Sequence, residues 1–259
     1  MEVKRITAIV AAGAVFVLTG CGGGNTVGGG GTSPNNGTPG GIWHGNESVS
    51  GLQVTGIVDE SGNFNFVRGD GVQYVGLAAV SGQSLTANVE GIVPLGFVFA
   101  DGSAHGTGTI TGTLQARQTI NTSTKFTTDF GAVSTGTLNL TFDALYNRPS
   151  SLTTLSGNFT NTANSVVVTV SSNGALFSQD SVSGCVLNGT ASVINATYNA
   201  YRVTFDYANC VGQASALNGV QFSGLATLDN TVVPERIIAG VTGQSGNIKY
   251  SVVLQLNRT

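Results

Sequence analysis

From Ile42 to the C-terminus, apolar and polar residues alternate in short runs broken by glycine, asparagine and aspartate. Gly51-Leu52-Gln53-Val54-Thr55-Gly56-Ile57-Val58 is one such run. Thr109-Ile110-Thr111-Gly112-Thr113-Leu114 and Thr137-Leu138-Asn139-Leu140-Thr141-Phe142 are others. Val166 to Val170, Tyr201 to Tyr207 and Tyr250 to Leu256 keep the same habit. A period of two places successive side chains on opposite faces, so each run predicts a strand with one buried face. Asp70-Gly71, Asp101-Gly102, Asn173-Gly174, Asn188-Gly189 and Asn218-Gly219 are predicted hairpin corners, because Asn and Gly tolerate positive φ. No stretch after the first 20 residues shows a convincing helical period.

The pattern also repeats. Gly41-Ile42-Trp43 matches Gly157-Asn158-Phe159, and Ser61-Gly62-Asn63-Phe64 matches Asn173-Gly174-Ala175-Leu176. Thr109 to Leu114 matches Phe222 to Leu228; Leu145-Tyr146-Asn147-Arg148 matches Leu256-Asn257-Arg258. The predicted body is therefore all-β, two tandem antiparallel repeats over 42–149 and 150–259. Each holds about eight short strands, the size of a small up-and-down barrel or sandwich. Whether the halves form two barrels or one continuous sheet system stays open. The Gly41-x-Trp43 opening resembles the start of lipocalins and the small barrel lobes of transferrin-binding-type surface lipoproteins. That resemblance implies barrels and carries no ligand with it.

The first 20 residues break the pattern. Lys4 and Arg5 precede an apolar stretch, Ile6 to Leu18, and a small residue, Gly20. That is the layout of a secretory leader, and the stretch is shorter than the ~20 residues a spanning helix needs. Leu18-Thr19-Gly20-Cys21 resembles the lipobox of bacterial lipoproteins. The resemblance implies cleavage before Cys21, a diacylglyceryl thioether on its sulfur and an acylated amino group. Gly22 and Gly23 then imply sorting to the outer membrane. Residues 21–41 follow as lipidated Cys and tether, almost wholly Gly, Thr, Asn, Ser and Pro. Such a segment buries too little apolar surface to fold and spans roughly 25 Å on average as a flexible chain.

Composition narrows the function classes. Removing residues 1–20 leaves 8 basic and 12 acidic residues, a net charge of −4. With no basic patch, nucleic acid is excluded as an expected partner. Thr, Ser, Asn and Gly supply the polarity, as suits exposed strand faces and tight turns. Of three cysteines, Cys21 is assigned to lipid, which leaves Cys185 and Cys210 as an expected disulfide in an oxidising compartment. A bridge closing that loop contributes ~3.5 kcal/mol in the chain-entropy picture.

Candidate chemistry is sparse. The two histidines are His44, beside Trp43, and His105, in the turn Asp101-Gly102-Ser103-Ala104-His105-Gly106. Asp101, Ser103 and His105 have triad-type side chains, but a solvated hairpin tip explains the same residues. No Gly-x-Ser-x-Gly elbow occurs. Asp59-Glu60-Ser61-Gly62-Asn63 has calcium-type oxygens without the EF-hand spacing, and Arg68-Gly69-Asp70 reads as an adhesion tripeptide or a plain turn. Ile92-Val93-Pro94-Leu95-Gly96-Phe97-Val98-Phe99 is either a buried strand or an apolar barrel mouth. Trp43, His44, Phe97 and Phe99 are the candidate ligand contacts. No cofactor or metal is expected. These features together predict a non-catalytic lipoprotein held on the outer membrane through acyl chains on Cys21. It would bind a small apolar ligand or a protein partner. The alternatives are an assembly subunit of an envelope complex and an envelope hydrolase.

Overall fold

The computed structural model describes residues 3–5, 37–161 and 166–259. The lipobox, Cys21 and most of the predicted tether lie outside these residues.

Period-two alternation does close into barrels. The first contains β2 (Gly41–Glu47), β3 (Gln53–Val58), β4 (Asn63–Arg68), β5 (Gln73–Ser81), β6 (Ser84–Ile92), β8 (His105–Gln115), β9 (Thr119–Thr128) and β10 (Val133–Asp143). All neighbours are antiparallel, and β10 pairs with β2 to complete the ring. Strand β7 (Phe97–Phe99) stands outside it and pairs with β1 (Val3–Arg5), which falls in the predicted leader. The second barrel runs from β11 (Gly157–Thr160) through β12 (Val167–Val170), β13 (Ala175–Gln179), β14 (Val186–Val193), β15 (Tyr201–Ala208), β16 (Gln221–Asp229) and β17 (Arg236–Ser245) to β18 (Ile248–Arg258). It closes by pairing β18 with β11. Closing a ring removes the sheet edges that would otherwise recruit other chains. Between the barrels lie a 3-10 turn, Ala144–Asn147, and one helical turn, α1 (Leu152–Leu155); a second 3-10 segment, Gly212–Leu217, follows β15. These short helical pieces have no periodic signal in the sequence.

The duplication is visible in local geometry as well as in strand order. Gly62 (φ +90°) and Gly174 (φ +87°) occupy the same turn, between β3 and β4 and between β12 and β13. In each, the glycine N–H closes the turn, and its carbonyl accepts from an alanine N–H, Ala78 or Ala191. A Cβ on either glycine would sit 2.2 or 2.3 Å from that alanine's carbonyl oxygen. The predicted corners at Gly71, Gly102 and Gly219 also have positive φ. Asn188-Gly189 is not a corner. Gly189 lies within β14 opposite Phe205, where a side chain would strike the Phe205 Cβ at 2.4 Å.

Inward-facing residues fill both rings. Trp43, Phe64, Phe66, Leu85, Ile110 and Leu140 pack in the first, with Trp43 edge-on to Phe142. Phe159, Tyr201, Phe205, Phe222, Leu228 and Leu256 pack in the second. The barrels then pack flank to flank. Ile42 and Ile57, on the outer faces of β2 and β3, join Tyr146, Ala200 and Leu225 in one apolar cluster, while Tyr146 stacks on Tyr198. Beside this cluster Asn65 donates to the Gly240 carbonyl (2.7 Å) and Gln73 to the Val252 carbonyl (2.7 Å). Arg202 reaches Asp59 (3.1 Å), and Lys249 pairs with Glu90. The halves are thus two separate closed barrels joined through a partly apolar interface.

Candidate functional site

A carrier needs an open lumen, and the first barrel does not have one. Its interior holds a void of about 20 Å³, near the size of one water. One mouth is plugged by the long β6–β8 connection: Phe99 is fully buried against Phe126, in a cluster with Val72 and Val93. Arg68 shares that mouth at 0% exposure, fixed by Asp70, Glu47 and the Tyr74 hydroxyl. The opposite mouth is strapped by residues 37–40. Thr38 hydrogen-bonds Glu60, and the Trp43 indole donates to the Pro39 carbonyl (3.1 Å). Pro39 and Gly40, at the end of the predicted tether, are instead buried on the barrel.

In the second barrel, α1 places Leu155 in the core at one end, where the Arg258 guanidinium lies 4.6 Å from the Phe159 ring centroid. At the other end the Cys185–Cys210 disulfide ties the approach to β14 to the exit of β15. Asn218 clasps the Cys210 backbone from both sides there.

Among the candidate ligand contacts, Trp43 and Phe99 are wholly buried and serve core and plug, and Phe97 packs half-buried beside the plug. His44 is likewise half-buried, on the outer face of β2. Asp101, Ser103 and His105 do not converge. Asp101 takes the Thr128 hydroxyl and the Ser103 N–H, Ser103 accepts from Phe130, and His105 begins β8 facing Asp129 (2.9 Å). The Asp59 carboxylate caps its own turn through the Ser61 and Asn63 N–H groups, and Arg68-Gly69-Asp70 is an internally paired turn with its Arg buried. No group of three or more metal-type ligands occurs among the described residues.

Between the barrels lies a cleft of about 690 Å³. The outer faces of β2 and β3 form one wall with His44, Asn46, Gln53 and Thr55. The end of β10 and the turn after it bring Asp143, Ala144 and Arg148; the β16–β17 hairpin brings Asp229, Thr231 and Arg236. His44 and Thr55 meet as direct cross-strand neighbours, while Asp143 reaches His44 from β10. The His44 Nε2 is 2.9 Å from Asp143 Oδ2 and its Nδ1 3.0 Å from the Thr55 hydroxyl. Beside an ionised Asp143, Nε2 carries the proton. In the neutral ring Nδ1 then accepts from Thr55, forming a hydroxyl–imidazole–carboxylate relay. The bond from His44 holds the Asp143 carboxyl below its ordinary range, the Leu145 N–H (2.8 Å) adds to this, and partial burial opposes it.

Across the cleft Arg236 donates twice to Asp229 (3.1 and 2.9 Å), and Asp229 also accepts the Thr231 N–H. Arg148 bonds Asn230. Sequence reasoning singled out His44 and missed the rest, because 99 residues separate His44 from Asp143 and the Asp229 wall comes from the other repeat. No known protein family, curated protein or solved structure matches the chain.

Proposed function

We propose that this chain is a lipid-anchored envelope protein and a non-catalytic binding module, whose ligand or partner engages the cleft between the barrels. The filled first lumen is the observation that carries the choice of site: a void of about 20 Å³ has no room for an apolar ligand, against about 690 Å³ in the cleft. The leader, Cys21 and the glycine-rich segment support the anchor. Several acyl chains hold a protein stably where one binds only marginally. The test combines labelling and capture. Radiolabelled palmitate is expected on the native chain and lost in Cys21→Ser. Capture from solubilised envelopes is expected to fall in Arg148→Ala and Asp143→Asn together. Undiminished capture in both variants overturns the cleft as the binding site.

The Thr55–His44–Asp143 relay favours a second reading, an envelope hydrolase with Thr55 as nucleophile and His44 as base. Labelling by a fluorophosphonate that disappears in both Thr55→Val and His44→Ala supports it. An unlabelled wild-type protein excludes it.

A further inference from the structure

Resting on the cleft reading above, we infer that the cleft takes an uncharged, hydroxyl-rich ligand, an oligosaccharide segment of the envelope. With the His44 ring neutral its charges balance: Arg148 and Arg236 stand against Asp143 and Asp229. An anion meets two carboxylates there and a cation two guanidiniums, so neither gains net attraction. An apolar ligand would strip water from Asp143 and Arg148, the more exposed of these groups, without replacing their hydrogen bonds, at roughly 1–3 kcal/mol for each group left unpaired. A sugar hydroxyl donates and accepts, so one ligand chemistry satisfies both carboxylates and guanidiniums.

The acceptors and donors are also fixed in place. Asp143 is oriented by His44 and Leu145, and Asp229 by Thr231 and Arg236. Held groups lose little freedom on binding. Asn46 and Gln53, directly opposite each other across β2 and β3, add two planar amides able to bridge neighbouring hydroxyls. The exposed Ala144 and half-buried Val232 offer apolar surface to the C–H face of a sugar ring. The cleft volume is in the range of ordinary ligand sites.

The test is calorimetric titration of the full chain in detergent micelles. The probes are uncharged trisaccharides of glucose, galactose and N-acetylglucosamine, with citrate and spermidine as charged controls. At least one trisaccharide is expected to bind, with affinity reduced about tenfold or more in Asp143→Asn and about fivefold in Asn46→Ala, each change removing about one hydrogen bond. Asn46 is exposed, so its variant separates lost contact from lost folding. Tighter binding of citrate or spermidine overturns the inference. So does the absence of heat for every trisaccharide, or saccharide binding indifferent to both variants. If no trisaccharide binds while envelope capture still depends on Arg148 and Asp143, the ligand class is wrong and the binding reading survives. If capture is also indifferent, both fall.

Discussion

The two barrels carry the same turn at Gly62 and Gly174 and the same eight-strand meander, yet they are closed at their ends by different means. The first is plugged by Phe99 and a buried Arg68 and strapped by residues 37–40. The second is capped by α1 and cross-linked by Cys185–Cys210. Strand pairing and lumen packing fix the body of each barrel, while its mouths accept several solutions. The comparison also shows where function has room. The end connections differ between the copies, and two of them, after β10 and between β16 and β17, line the cleft.

The largest effect should fall on equivalent lumen residues. Trp43 and Phe159 stand at matching positions, both at 0% exposure. Replacing either by Ala is expected to cost about 3–5 kcal/mol in denaturant unfolding. A cost below about 1 kcal/mol for one of them would mean that its lumen is not filled. The disulfide breaks the symmetry next. Cys185→Ser with Cys210→Ser should lower stability by ~3.5 kcal/mol, with hydrogen exchange speeding up first in the second barrel. Equal acceleration in both barrels would show that they unfold as one unit.

The turn glycines restore the comparison. Gly62→Ala and Gly174→Ala should each cost about 2–3 kcal/mol, since both combine positive φ with a carbonyl contact. Unequal costs, read in thermal melts, would sharpen which copy tolerates strain.

The smallest effect is pH-dependent and belongs to the cleft. The hydrogen bond from His44 makes the Asp143 carboxyl titrate lower in the folded chain than an ordinary aspartate does when unfolded. Its stabilisation is therefore complete above the unfolded value and is lost as pH falls through the folded value. Because the pair is about one-third exposed, less than about 1 kcal/mol is at stake. The melting temperatures of wild type and Asp143→Asn should differ at pH 7, and the difference should shrink as pH falls through the titration of the folded carboxyl. A constant difference would remove the role assigned to the His44 pair.

Much of this architecture is legible in the chain. Alternation locates the strands, the recurring motifs locate the second copy, and cysteine pairing gives the bridge. The interface is not legible, and β4 shows why. Asn63-Phe64-Asn65-Phe66-Val67-Arg68 reads as an ordinary strand with asparagines on its solvent face. Instead Asn65 is buried against Gly240, where a Cβ would lie 2.6 Å from its side-chain oxygen. A polar residue whose amide N–H is held by a distant carbonyl carries no local mark of burial. Arg68 likewise reads as a turn residue and proves to be a buried plug. The cleft escapes for the same reason: its walls come from positions 44, 143 and 229, far apart along the chain and joined only when both barrels close and dock.

The cleft exists only if the two barrels form one docked body. Spin labels at the exposed positions Thr111 on β8 and Asn188 on β14 test it by electron–electron double resonance on the full chain. A single narrow distance distribution is expected, and it should broaden when Gln73 and Asn65 are both replaced by Ala. A broad distribution in the unaltered protein would contradict the account.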